Sequence, residues 1–380
     1  MDIKLHQIKT NFDGEYCYVA PRGAVLPNGD VFVETSPLLL SGVDTVYGTE
    51  TFIADGKTFE PSPYPFKKHK TLQRQKLPDG REMIPCDFMP IYHKKMGKLL
   101  MYGHNTYYHN NDEVYLQAQA RQTTYTVYDE KTGTFPAVSY LEMDEEEFFN
   151  FGSGSGQCVE EDNGDLILPV YGFSKAEMLA GKHNTWVAVL RCSFDGKTLR
   201  TKEIGEKLVL EQARGFCEPS VTKYNGEYFI CLRSDDDGYL AKSKDGLHFD
   251  EPKPLCFEDG ASVGNYNTQQ HWLVGGGKLW LVYTRRGEDN AHVFRHRAPL
   301  YIAEVDPVSL RVIRATEKIV VPNRGARLGN FGCCNIDDKR GIVVASEWMQ
   351  FGGGANDIGA WKKCMEYGSD NSIFIAEILF

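Results

Sequence analysis

The chain predicts an all-β fold: a single six-bladed β-propeller over residues 1–380, built of four-stranded antiparallel blades and closed by the N-terminal strand. Three features predict it. One pattern recurs six times at spacings of about 50 to 70 residues: an apolar run, a Gly-containing turn, a second apolar run, and a later strand that can end on an Asp-containing turn. Glycine accounts for 37 of the 380 residues and aromatics for 12%, which suits short strands and tight turns, whereas helix-periodic stretches are few. An orphan strand stands at each end, IKLHQI before the first unit and SIFIAEILF after the last. An open ring would leave strand edges bare, and pairing residues 3–8 with the strand at 373–380 removes both.

Taken in order, unit one turns at Asn28-Gly29 and closes at Asp55-Gly56 with Phe59; unit two turns around Gly97 and closes in YDEKTGTF. Unit three turns at Asn163-Gly164 and closes at Asp195-Gly196. Unit four, Cys217 to Phe249, turns at Asn225-Gly226, the pair best able to take the positive φ that a type I′ hairpin turn requires at both central residues. It closes at Ser243-Lys244-Asp245-Gly246, where the Asp accepts from nearby backbone N–H groups and Phe249 tucks back against the sheet. Unit five turns at Gly275 to Gly277 and closes in AEVDPVSL; unit six turns near Gly341.

Three segments depart from the pattern. Tyr140 to Gly156 carries the acidic run Asp144 to Glu147 and then GSGSG, expected as a solvated loop and a flexible turn. Ser174 to Gly181 has a capping-box spacing, Ser174 with Glu177, and a Gly stop, so one short helix is expected there. Gly352 to Asn371 is a long Gly-rich excursion, expected to rim the functional face.

Composition excludes several functions. A net charge of −10 argues against a general nucleic-acid or anionic-membrane binder. The start MDIKLHQIKTNFDG has no apolar signal core and no run approaches 18 apolar residues, so a soluble, cytoplasmic protein is expected. Ten cysteines, scattered singly apart from Cys333-Cys334 and without a C-x-x-C pair, read as buried thiols rather than a disulfide framework or a zinc site. Asp235-Asp236-Asp237-Gly238 lacks the EF-hand spacing and reads as a solvated turn. No P-loop or dinucleotide fingerprint is present, and no cofactor or metal is expected.

The strongest chemical signal is Glu218-Pro219-Ser220-Val221, followed after the hairpin by Leu232-Arg233-Ser234. This blade resembles those of the sialidase (neuraminidase) superfamily, and the turn at Asp245-Gly246 resembles its Asp-box. The resemblance implies that Glu218 supports the nucleophile and that Arg233 binds a substrate carboxylate. It implies two further arginines, which fall on Arg22 and Arg297, an acid/base Asp, which falls on Asp44, and a small acidic saccharide as the partner. A planar guanidinium pairs bidentately with a carboxylate, so a cluster fixes both position and charge. At the position of the family's nucleophilic Tyr, however, RLGNFGCCNID carries Phe331, which has no hydroxyl.

Other polar residues fall where blades aim side chains at the central face. His93 and His104 flank the hairpin of unit two, Tyr171 follows that of unit three, Tyr266 and His271 open unit five, and Arg286 adds a donor there. Taken singly, each reads as a packed residue; their joint occurrence at strand starts and after hairpins points to a site. Three functions stay open. A hydrolase would use Asp44 as acid and Glu218 to activate water. A uronate lyase would use His93, His104 or Tyr171 to take the C5 proton while arginines neutralise the carboxylate. A binding module would keep the arginines alone.

Overall fold

The computed structural model describes residues 1–41, 45–61, 66–109, 112–113, 121–182, 184–351 and 359–380. Six small antiparallel sheets form a six-bladed β-propeller. Blade I pairs Tyr16–Val25, Val31–Leu39, Gly48–Ala54 and Lys67–Gln73 in that order. Blade II is built on Glu82–His93, Lys98–His109, Thr123–Val127 and Ser139–Tyr140. In blade III the inner strand is interrupted, its two pieces Asn150–Gly152 and Val159–Glu160 both pairing with Leu166–Phe173, and Trp186–Phe194 and Leu199–Ile204 lie outside.

Blade IV contains Cys217–Tyr224, Glu227–Arg233, Gly238–Ser243 and Lys253–Pro254, and blade V contains His271–Gly275, Lys278–Tyr283, Leu300–Asp306 and Arg311–Val312. Blade VI joins Phe331–Asp337, Arg340–Ser346 and Ile373–Leu379 to the N-terminal strand Asp2–Ile8. Its register runs from Asp2 opposite Leu379 to Ile8 opposite Ile373, so the two orphan strands close the ring together.

The hairpins form where the sequence places them. Asn225 and Gly226 take φ of 50° and 81°, as a type I′ turn demands. At the end of blade IV's third strand, Asp245 Oδ1 accepts from the N–H groups of Leu247 and His248, each at 2.9 Å, and Phe249 packs against the sheet beneath. The short helix Lys175–Leu179 carries the expected capping box between Ser174 and Glu177. Of the excursion at 352–371, residues 352–358 lie outside the described set, and the remainder contains the helix Trp361–Glu366.

Each seam between neighbouring blades holds its own apolar cluster. Phe32 and Leu72 meet Phe88 and Met101 between blades I and II, and Tyr102 and Leu100 meet Leu168 and Trp186 between II and III. The series continues with Val187 and Ile230, then Cys231 and Trp272, then Val282 and Val343, and returns with Ile375 and Val33. Blades present one face to each neighbour, so the alternation of side chains along every strand feeds two seams at once. Burying each large aliphatic or aromatic side chain contributes about 1.5–3 kcal/mol, and closure leaves no seam without a partner.

One expectation fails. The stretch GSGSG is not a solvated flexible turn: Ser153, Gly154, Ser155 and Gly156 are buried in the middle of blade III's inner strand. Its glycines serve close approach. A Cβ on Gly154 would overlap His104 Nδ1 and lie 2.9 Å from Asp87 Cβ.

Candidate functional site

In or beside the inner strands of five successive blades one non-glycine residue takes a left-handed backbone conformation. Ala20, Asp87, Ser155, Glu218 and Asn267 have φ of 52°, 52°, 61°, 45° and 47°. In blades I, II and IV the ladder shifts register there, between Val19 and Arg22, Cys86 and Met89, and Cys217 and Ser220. A bulge adds a residue on one strand and re-aims its side chain, at a conformational cost that non-glycine residues meet only where packing over-determines it. Three of these positions, Ala20, Asp87 and Glu218, line one cavity of about 390 Å³ near the propeller axis.

Arginines dominate its wall. Arg121, Arg214, Arg233, Arg295, Arg297 and Arg327 all line the cavity. Arg233 forms an ion pair with Glu218. Asn267 gathers its neighbours: its Oδ1 accepts from Arg233, and from Arg214 and Arg295 at 3.3 Å each, while its carbonyl accepts from Arg297. Arg214 also pairs with Asp235, and Arg327 lies 3.3 Å from the centroid of the Trp348 ring. Burial opposes the positive form of Arg297, as do the guanidiniums of Arg327, Arg233 and Arg295, and its pKa is pushed well below the ordinary arginine value. An anion entering the cavity relieves that crowding.

Blades II and III supply a different chemistry. Asp87 Oδ2 lies 3.4 Å from His104 Nε2, and the ring of Tyr171 meets that of His104 edge-on with centroids 6.4 Å apart. Arg121 sits over Tyr171, 4.6 Å from its ring centroid, with Nη1 3.4 Å from the phenol oxygen. Burial acts to raise the Asp87 pKa, but the hydrogen bond and charge of His104 and the guanidiniums of Arg22 and Arg121 outweigh it and hold the carboxyl well below its usual range. Burial likewise opposes ionisation of Glu218, and Arg233 reverses the balance, leaving its pKa lowered. Burial, then Arg121, lowers the His104 pKa against the pull of Asp87 and Glu218, so the imidazole is neutral near pH 7. Burial lifts the Tyr171 phenol well above its ordinary value and keeps it protonated.

The sequence-predicted residues separate into groups. Arg233, Arg297, Glu218, His104 and Tyr171 line the cavity together. Arg22 is buried beneath it, with Nη2 3.6 Å from Asp87 and 2.6 Å from Ser155 Oγ, and Nη1 3.4 Å from Glu34, whose carboxyl burial pushes up to about 8. Asp44 lies outside the described residues. Besides Arg22, four of the described candidates do not line the cavity. His93 is fully buried, bonded through Nε2 to the carbonyl of Gly164 at 2.9 Å. His271 is fully buried and bonded through Nδ1 to Ser220 at 2.8 Å. Tyr266 bonds His296 at 2.7 Å and carries Arg286 over its ring, so these two serve one another. Phe331 is wholly buried, edge-on to His271 at 5.0 Å, and is not part of the cavity lining.

Asp87, Arg121, Arg327 and the organising Asn267 escape the motif reading. A signal for Asp87 was present: Cys86-Asp87 stands at the register shift of blade II's inner strand as Cys217-Glu218 stands at that of blade IV. Among the described residues, Cys86, Asp87 and His104 bring one potential ligand atom each within 4.8 Å of one another. The guanidiniums of Arg22 and Arg121 beside Asp87 oppose a cation there.

Comparison with known proteins places the fold. No protein-family model matches the chain, and no curated protein sequence does. Among solved structures, a protein of unknown function from Dyadobacter fermentans aligns over 99% of both chains at 15% identity, with a TM-score of 0.62. Trypanosoma rangeli sialidase aligns over 99% of this chain and 60% of its own at 12% identity, with a TM-score of 0.62. The NanB sialidase from Streptococcus pneumoniae aligns over 99% of this chain and 70% of its own at 11% identity, again at 0.62. The chain thus spans about three-fifths of the length of the trypanosomal enzyme, and at these identities what it shares with the sialidases is their six-bladed propeller fold.

Proposed function

We propose that the protein is a glycoside hydrolase acting on a terminal sugar that bears a carboxylate. The observation that carries this reading is the convergence of Arg233, Arg297 and Glu218 with Asp87 on one cavity of a sialidase-fold propeller. The guanidiniums of Arg233 and Arg297 hold the carboxylate and set the ring against the carboxylates of Glu218 and Asp87. Those carboxylates, both ionised, stabilise the positive charge that develops at the anomeric carbon. With no phenol from residue 331, Asp87 or Glu218 takes a proton from water as that water bonds to the anomeric carbon and the glycosidic C–O bond breaks. The departing oxygen takes its proton from the Tyr171 phenol, which solvent then reprotonates as the carboxylate gives its proton up.

One arrangement favours a second reading, elimination from a uronate. A neutral His104 beside Tyr171 and Arg121 combines a base, an acid and a carboxylate-neutralising cation. Product analysis on sialosides and on oligouronides separates the two. Release of a reducing acidic sugar without new ultraviolet absorbance supports hydrolysis; an absorbing unsaturated uronate would replace it with elimination; binding without turnover would reduce the protein to a lectin.

A further inference from the structure

Back to back with the arginine cavity, a second cavity of about 440 Å³ opens where the chain leaving the N-terminal strand enters blade I. Strand alternation creates the pair. Val19, Ser36 and Val46 line the arginine cavity, whereas their sequence neighbours Tyr18, Pro37 and Tyr47 line the second. The partition between them is a stack: the Arg74 guanidinium lies 4.4 Å from the ring centroid of Tyr47 and 3.9 Å from that of Tyr108, which itself lines the arginine cavity.

We propose that this second cavity is a binding site for a neutral sugar residue. Its walls have the two kinds of surface a pyranose needs. Tyr16 meets Tyr47 edge-on at 5.3 Å, and Tyr18 stacks on Phe66 at 4.2 Å, so flat aromatic surface is held in fixed orientation to meet the C–H face of a sugar. Hydrogen-bonding groups surround those rings. The buried Glu50 carboxylate accepts from the Tyr18 hydroxyl at 2.8 Å and lies 3.5 Å from Lys68, while Gln73 and Asp13 add an amide and a carboxylate to the lining. Convergent polar groups within an aromatic cavity of several hundred Å³ are the usual make-up of a small-molecule site.

Charge decides the class of sugar. The lining carries two carboxylates, Asp13 and Glu50, against the single ammonium of Lys68, so the field disfavours an anion. The arginine cavity next to it has the opposite bias. This site stands whatever chemistry the arginine cavity performs.

The test is saturation-transfer NMR on the full chain with methyl β-galactoside, methyl β-glucoside and lactose as probes. Transfer to ring C–H protons is expected. Tyr16→Ala should weaken binding about tenfold or more, and Tyr16→Phe should restore most of it. Gln73→Leu provides an independent variant, expected to weaken binding several-fold through a lost hydrogen bond. Arg233→Lys should leave the neutral sugar bound, and free glucuronate should not compete. Absence of transfer from all three probes, or equal binding by wild type, Tyr16→Ala and Gln73→Leu, would overturn the proposal. Loss of binding in Arg233→Lys would overturn it too, by placing the sugar in the arginine cavity.

Discussion

Asp87 and Glu218 occupy the same structural position on two blades: each is the left-handed bulge residue that follows a cysteine on an inner strand, and each faces the same cavity. Their partners differ. Glu218 pairs with Arg233, whereas Asp87 lies beside His104 and keeps 35% of its side chain exposed. Asp87 is therefore the carboxylate better placed to reach water or substrate. Asp87→Asn is expected to lower kcat/KM on an acidic glycoside by about a hundredfold or more. Affinity for the free acidic sugar should hold or rise, because one negative charge beside the arginines is gone. Steady-state kinetics and a ligand titration check both halves, and loss of affinity with kcat retained would remove Asp87 from the reaction.

Replacing Arg233 with Lys tests the carboxylate-binding wall. One ammonium cannot reproduce a planar fork that serves Glu218 and Asn267 and still faces the cavity. Affinity for an acidic sugar should fall about tenfold or more, with the melting temperature lowered as Glu218 loses its partner. Unchanged affinity in a calorimetric titration would exclude Arg233 from substrate recognition.

Two buried imidazoles set the response to acid. Burial, with Arg22 nearby, pushes His271 down to about 3, and burial, with Lys67, pushes His69 down to about 4. Both stay neutral in the fold, while the unfolded chain protonates them below about pH 6.5. The unfolded state then binds more protons, so stability rises with pH and is lost as the pH falls from about 6.5 toward 4, by up to about 1.4 kcal/mol per pH unit for each histidine. His69→Gln, which can keep the 2.8 Å bond to Thr51, should flatten the profile of melting temperature against pH. A wild-type profile flat from pH 7 to pH 4 would contradict it.

The fold was legible because its signals are local. Asn225-Gly226 fixes a hairpin whatever surrounds it, and an orphan strand at each end leaves one economical pairing, the one observed from Asp2 to Ile8. The site was legible only where side chains keep a motif, as Glu218 and Arg233 do across their hairpin. Asn267 carries no motif, and its role comes from four arginines that approach it from three separate stretches of chain. The glycines of GSGSG show the same limit: flexibility is a property of glycine in isolation, whereas here His104 and Asp87 take the space a side chain would fill. His93 and His271 mislead for the converse reason, since a strand start places a histidine near the axis without deciding which face it takes.

Phe331 stands where the sequence resemblance leads us to expect a nucleophilic hydroxyl, and the last prediction concerns restoring one. The ring is wholly buried in a cluster with Leu328, Cys333 and Val343 and meets His271 edge-on. His271 has its Nδ1 engaged by Ser220 and is held neutral, so it offers little to a new phenol. Gly332 follows, pressed against Arg22: a Cβ there would lie 2.9 Å from Arg22 Cγ, which leaves the strand little room to turn residue 331 toward the cavity. Phe331→Tyr should therefore cost about 1–3 kcal/mol of stability for a buried hydroxyl and add nothing to the rate. The neighbouring Cys333 is buried, with its thiol pKa raised well above the ordinary value, so Cys333→Ala should leave turnover unchanged. Thermal melts, kinetics and trapping with a fluorinated acidic sugar decide the matter. A glycosyl adduct on residue 331, or a gain in hydrolysis from the added hydroxyl, would mean that this strand does reach the substrate.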